Sequence, residues 1–372
     1  MLTQGAFAKQ PMGAAALRRA HKGHQPPENA VSDQSLRPVE RDGGVTWGLA
    51  GTITPAVKRR SVLLGLGGAA TMAACGPSAA TTGPQPAAPD PPEEPDEPGL
   101  GVGGARFDVT FEGGAPDLGY ARFEQWVVDS ASMINDYYGG TFPVPSLDIR
   151  LIMSARRSIG FGMHNDGRWI KVYCGRRTPE RGLRNDWVMV HEMLHACFPD
   201  LESRHRWMQE GTSTYVEKIV RARAGNRTDE QVWKSFAGSM HNGRPRRGDR
   251  GLDNTHTWGR TYWGGALFWL VADVDIRLRT NNEKSIRDAL LAIVAEGGNG
   301  RANWSTQQVV EVGDRGTGTT AISELYTSMA EAPGDIDLDT LWKDLGVIYD
   351  EGTVTFDDNA RHAHIRRAIT RA

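Results

Sequence analysis

The stretch that most constrains this chain covers residues 185–217, NDWVMVHEMLHACFPDLESRHRWMQEGTSTYVE. Inside it, His191-Glu192-Met193-Leu194-His195 is an H-E-x-x-H sequence. Residues four apart on a helix share a face. Both imidazoles can therefore reach one zinc ion, and Glu192 can reach a water beside it. The flanks predict the helix. Asn185 or Asp186 can cap its start. Trp187, Val190, Leu194 and Cys197 form an apolar stripe for a core, and Pro199 closes the run. A catalytic zinc site uses three protein ligands and keeps one open position. The third candidate is Glu210, in Trp207-Met208-Gln209-Glu210-Gly211. A second helix is predicted over about 206–224, stopping at Gly225. Glu210, Thr214 and Glu217 fall on one face of it, so Thr214 or Glu217 can hydrogen-bond a ligand side chain from behind.

Two surface histidines on an amphipathic helix would account for H-E-x-x-H alone. The W-M-Q-E-G-x-x-x-Y-x-E string that follows favours a metal site instead. Together the two strings resemble the gluzincin metallopeptidases. The W-x-x-E-G-x-x-x-Y form is similar to that of the M1 aminopeptidases and, more closely, the M61 glycyl aminopeptidases. The resemblance implies His191, His195 and Glu210 as ligands of Zn2+ and Glu192 as general base. It also implies an α+β, zincin-like (thermolysin-like) domain, with a small upper sheet plus helices and a mostly helical lower lobe. The spacer from His195 to Glu210 is shorter than is usual in those families.

Two further segments extend the resemblance. Residues 258–270 resemble the Y-x-x-G segment that follows the zinc site in M1 and M61 enzymes. This implies Tyr262 as the donor to the oxyanion, with His256 a weaker candidate. Glycines 264 and 265 would allow close helix approach. In the family architecture the last strand before the zinc helix borders the cleft and pairs with substrate. The candidates are 160–164 and 169–173. M1 enzymes carry G-x-M-E-N there, and its glutamate helps to bind a substrate's free amine. This chain has Gly162-Met163-His164-Asn165 instead. Gly162 and His164 are thus candidate substrate contacts, and His164 is equally readable as an ordinary loop histidine. Aminopeptidase and endopeptidase both stay open, with the missing glutamate tilting the reading to the second.

Around this centre the chain divides into four parts. Residues 1–56 are polar, Gly- and Pro-rich and without periodicity, and read as a disordered or untranslated leader. Residues 57–75 have a basic start, a short apolar run and small residues before Cys75, the anatomy of a secretory signal peptide. Met72-Ala73-Ala74-Cys75 resembles a bacterial lipobox, which implies lipidation of Cys75. Arg59-Arg60 resembles a twin-arginine export signal, although ordinary secretory signals also carry paired arginines. Residues 76–104, with GPQPAAPDPPEEPDEPG, cannot bury a core and read as an extended Pro-rich tether. Residues 105–372 form the gluzincin-like domain. Strands are expected at 106–111, 147–152, 169–174 and 353–356. Helices are expected at 119–138, 228–240, 285–296, 306–312, 321–329, 338–345 and 361–371, with loops at 240–256 and 313–320.

The charge balance of −2 and 24% charged residues give no sign of a nucleic-acid partner. The expected partners are a peptide or protein substrate and a membrane, through the lipid anchor. The expected location is the cell envelope after export, on the periplasmic or outer face. The oligomeric state is open. Of the three cysteines, Cys174 and Cys197 either pair as a disulfide or remain separate buried thiols. The reading is thus zinc-dependent peptide-bond hydrolysis by an envelope-anchored gluzincin-like peptidase. The alternative is a catalytically inactive surface lipoprotein that binds zinc or peptides.

Overall fold

The computed structural model describes residues 38–41, 44–47 and 99–371. The first two segments are strands β1 (Pro38–Arg41) and β2 (Gly44–Trp47). They pair antiparallel, with Arg41 opposite Gly44. Val39, Val45, Thr46 and Trp47 carry strand propensity that the Gly- and Pro-rich surroundings obscure in the sequence. The rest of that leader, the signal segment with Arg59-Arg60 and Cys75, and most of the tether lie outside the described residues.

The main body opens with β3 (Leu100–Val102), so the last residues assigned to the tether are strand. Next come β4 (Ala105–Glu112), α1 (Tyr120–Tyr137), β5 (Ser146–Ser154), β6 (Ile159–Asn165) and β7 (Trp169–Gly175). The five strands form one sheet in the order β3-β4-β5-β7-β6. β4, β5 and β7 run parallel, while β3 and β6 are antiparallel edges. Along β5, Leu147, Ile149, Leu151 and Met153 are buried while Asp148 is exposed, a period-two pattern that gives the sheet one core face. Helix α1 buries Phe123, Trp126, Val127, Ala131 and Ile134 in the same core.

Helices α2 (Glu180–Asn185), α3 (Val188–His195), α4 (Arg206–Arg223) and α5 (Asp229–Ser239) follow. The expected apolar stripe of α3 is corrected at one position. Val190, Leu194 and Cys197 are buried, but Trp187 is 48% exposed. Helix α3 also ends at His195, with Ala196 as its cap, before Pro199 acts. Thr228 caps α5 through a reciprocal capping box with Gln231. A π-helical segment, Gly259–Gly264, runs directly into α6 (Gly265–Arg279). The close approach expected of the glycines is there. A Cβ at Gly265 would lie 2.1 Å from the Trp207 carbonyl oxygen, so α4 and α6 cross backbone to backbone.

The remaining elements are α7 (Ile286–Ala295), α8 (Thr306–Thr317), α9 (Ala321–Met329), α10 (Leu338–Leu345), the hairpin β8 (Val347–Asp350) and β9 (Thr353–Phe356), and α11 (Ala363–Thr370). Helix α8 runs through the first residues of the expected 313–320 loop. Its glycines are packing residues: a Cβ at Gly316 would lie 2.5 Å from Ala292 Cβ of α7. The result is a mixed α+β body with one small sheet and many helices. No helix among the described residues is long and apolar enough to cross a membrane.

Candidate metal centre

One residue before the N-cap Trp187 of α3, Asp186 Oδ2 accepts from the first-turn Met189 N–H at 3.0 Å. Val190, Met193 and Leu194 anchor the helix in the core. His191 and His195, one turn apart, then face α4. Their Nε2 atoms each lie 3.3 Å from Oε2 of Glu210. The three side chains are buried, and their donor atoms lie within 4.8 Å of one another. Two imidazole nitrogens and a carboxylate oxygen converging on one buried point are a donor set that zinc accepts. The residues present therefore fit a divalent cation of that type.

Glu210 is oriented from its other side. Arg206, one turn earlier on α4, donates to Glu210 Oε1 from Nε at 3.1 Å and from Nη2 at 2.9 Å. One carboxylate oxygen is thus fixed by the guanidinium and the other points at the imidazoles. Burial alone would raise the Glu210 pKa, but His195 and His191 hold it well below the usual carboxylate range. For His191, burial works to lower the pKa. It is outweighed by the Glu210 contact and by the charges of Glu192, Glu210 and Glu217, and the net shift is upward. The pocket thus keeps an ionised carboxylate that positive charge must balance.

Glu192 is buried beside this triad. Burial pushes its pKa up, against the pull of His191 and His195. The edge strand β6 passes directly over it. A Cβ at Gly162 would lie 2.3 Å from Glu192 Cγ and 2.7 Å from its Oε1, so only glycine lets the strand come this near. His164, two residues on, is part of the site rather than a loop residue. Its ring lies parallel to that of His195, with centroids 3.9 Å apart and planes within 8°. It also forms a second convergent group with Glu192 and His195. Burial, then the neighbouring His195, pushes the His164 pKa down to about 2, so its imidazole is neutral.

Tyr262 sits on the π-helical segment. Its ring stacks on His191 at 6.3 Å and on Trp258 at 6.4 Å. Burial, followed by the charge of Glu210, raises its hydroxyl pKa well above the ordinary value, and the hydroxyl also hydrogen-bonds Glu210. The segment is pinned by the buried Arg260. Its Nη1 donates to Gly243 O at 2.6 Å, and its Nε lies 2.9 Å from Asp249 Oδ2. His256 is exposed and is not among the residues that converge here.

Two sequence expectations are corrected. Glu217 does not support a ligand side chain, because its oxygens are taken by Arg221 at 2.6 Å and Lys218 at 3.1 Å. The buried Thr214 hydroxyl has no hydrogen-bond partner. The supporting role falls to Arg206, which the sequence reading passed over. The usable signal was its place four residues before Glu210, the spacing of a helical ion pair. Of the two readings left open for Cys174 and Cys197, the structure has separate buried thiols. The Cys197 thiol donates to Met193 O of its own helix at 3.3 Å and the Cys174 thiol to Val172 O of its own strand at 3.7 Å, and burial raises both pKa values.

No family model matches the sequence, and no curated protein is similar to it at a significant level. Among solved structures the chain is similar to an aminopeptidase N family protein from Idiomarina loihiensis. The TM-score is 0.53 and the identity 14%, over 67% of this chain and 49% of that one. The chain thus spans about half the length of that protein. At this identity the likeness is one of fold.

Proposed function

We propose that this chain is a zinc-dependent peptidase with a zincin-like, thermolysin-like domain of the gluzincin type. The observation that carries the reading is the convergence of His191 Nε2, His195 Nε2 and Glu210 Oε2 beside the buried Glu192. The fold likeness to an aminopeptidase N family protein supports it. His191, His195 and Glu210 hold the cation. When bound, it supplies Lewis acidity and positive charge at the reaction centre.

Each remaining residue has a separate task. Glu192, with a pKa raised by burial, accepts the proton of the attacking water as the C–O bond forms. It then returns that proton to the amine nitrogen as the C–N bond breaks. Tyr262 keeps its proton and turns its hydroxyl from Glu210 to donate toward the carbonyl oxygen as negative charge develops there. Gly162 lets β6, and any substrate strand paired to it, approach Glu192. The neutral His164 lines that edge and supplies no negative charge for a free substrate amine, which favours cleavage of internal bonds. Export and lipid anchoring at Cys75 belong to the same proposal and rest on the sequence of 57–104.

The test is Glu192→Gln. The variant is expected to keep its zinc and to lose cleavage of a mixed peptide library by at least about 100-fold. Retained cleavage removes Glu192 as base. Zinc binding with no cleavage by the unaltered protein points instead to a binding module.

A further inference from the structure

The tryptophans of the main body are mostly buried or half-buried, as expected of the largest apolar side chain. Among the described residues, the exposed ones are Trp187 at 48% and Trp258 at 39%. Both are at the metal centre. The Trp187 ring stands edge-on to His191, with centroids 5.4 Å apart and planes at 84°. Trp258 stacks on Tyr262, and Tyr262 stacks on His191. The four rings form one aromatic wall at the His191 end of the triad. The opposite end is the His164–His195 stack under β6.

Neither indole has a structural task that explains its exposure. Trp187 is the N-cap residue of α3 by position, but its side chain makes no capping hydrogen bond, and Asp186 Oδ2 accepts from the Met189 N–H instead. Helical spacing would send Trp187 into the core with Val190 and Leu194, yet it faces outward. Trp258 precedes a π-helical segment that Arg260 already fastens. Exposed indole faces attract flat apolar groups or cations. Arg206 is paired with Glu210, and the divalent cation that His191, His195 and Glu210 would hold at the His191 end of the wall disfavours a cationic side chain there.

We propose that Trp187 and Trp258 form the specificity subsite of this centre and select a large apolar or aromatic side chain next to the scissile bond. The proposal rests on the peptidase reading above. It is tested with the full chain and peptides that differ only in Phe, Leu, Lys or Ala at that position. The Phe peptide is expected to have a kcat/KM about tenfold or more above the Ala peptide. Each of Trp187→Ala and Trp258→Ala lowers that ratio by about two- to tenfold, the worth of one aromatic pair. A folding defect lowers all four peptides together and leaves the ratio intact. A ratio unchanged in both variants, or a preference for Lys, overturns the proposal.

A binding arm separates this outcome from failure of the peptidase reading. Indole fluorescence of Glu192→Gln reports the Kd of the same Phe and Ala peptides. If the unaltered protein cleaves nothing, hydrolysis is refuted but the subsite is still decided. Phe peptide binding at least about tenfold tighter than Ala binding upholds it, and equal binding overturns it.

Discussion

Replacing Gly211 with alanine strikes the place where α4, which carries Glu210, meets without side chains the start of α6, which continues the segment carrying Tyr262. The new Cβ would lie 2.3 Å from the Gly265 carbonyl carbon, 2.5 Å from its Cα and 2.7 Å from its oxygen. All three are backbone atoms, so no rotamer change relieves the contact. Ordinary contact begins near 3.4 Å, and α4 and α6 must part by about 1 Å in a close-packed interior. Overpacking of this kind costs about 1–3 kcal/mol. The better helix propensity of alanine returns about 1 kcal/mol. A net loss of about 0–2 kcal/mol is expected from urea denaturation of the metal-free protein. Because Glu210 is the preceding residue, its carboxylate shifts from the two imidazoles, and zinc affinity falls by about tenfold or more. Gly238→Ala is the control, since its new Cβ meets only the end of the Tyr349 side chain at 2.9 Å. Wild-type stability and wild-type affinity in Gly211→Ala would refute the helix-crossing argument.

Two other predictions use single residues. Gly162→Ala pushes Glu192 aside by about 1 Å; hydrolysis should fall on the order of 100-fold while zinc stays bound. Full turnover in that variant contradicts the positioning of Glu192 by β6. Asp186→Asn should stabilise the protein, and the gain should depend on pH. Burial pushes the Asp186 pKa from 3.8 up to about 6, so the folded chain holds a proton that the unfolded chain has already lost. Wild-type stability therefore falls as pH rises from 3.8 to about 6, and the variant escapes that fall. Asp186 is partly exposed, so the gain above this window should be modest, about 1–2 kcal/mol. Below the window it vanishes. An equal difference at pH 4 and pH 7 by chemical denaturation would contradict the assignment.

The helices were readable from sequence wherever apolar periodicity and capping agreed. Thr228 with Gln231 marks the start of α5, and the predicted α4 range of 206–224 is realised as Arg206–Arg223. The triad was legible for the same reason, since helical spacing alone sets His191 and His195 on one face. The failures have physical causes. Strand β6 is legible only as one of the two candidate cleft-edge segments, 160–164, because its two glycines in four residues weaken the local strand signal and Gly162 must yield space to Glu192. Gly313 and Gly316 read as loop because the contacts that require glycine lie outside their own helix, in the neighbouring α7 and α9. The π-helical segment breaks the 3.6-residue period by which helices are recognised. Trp187 was assigned to the core by that same period, although it lies one residue before the helix begins. Where local propensity fails at Gly162 and Trp187, the departures border the proposed site, as expected when function competes with folding.

The most direct test of the account is the metal content of the purified protein, measured by elemental analysis beside a His195→Ala variant. The account predicts one zinc per chain in the unaltered protein and its loss in the variant. No bound metal, or a metal content that the variant leaves unchanged, would contradict it.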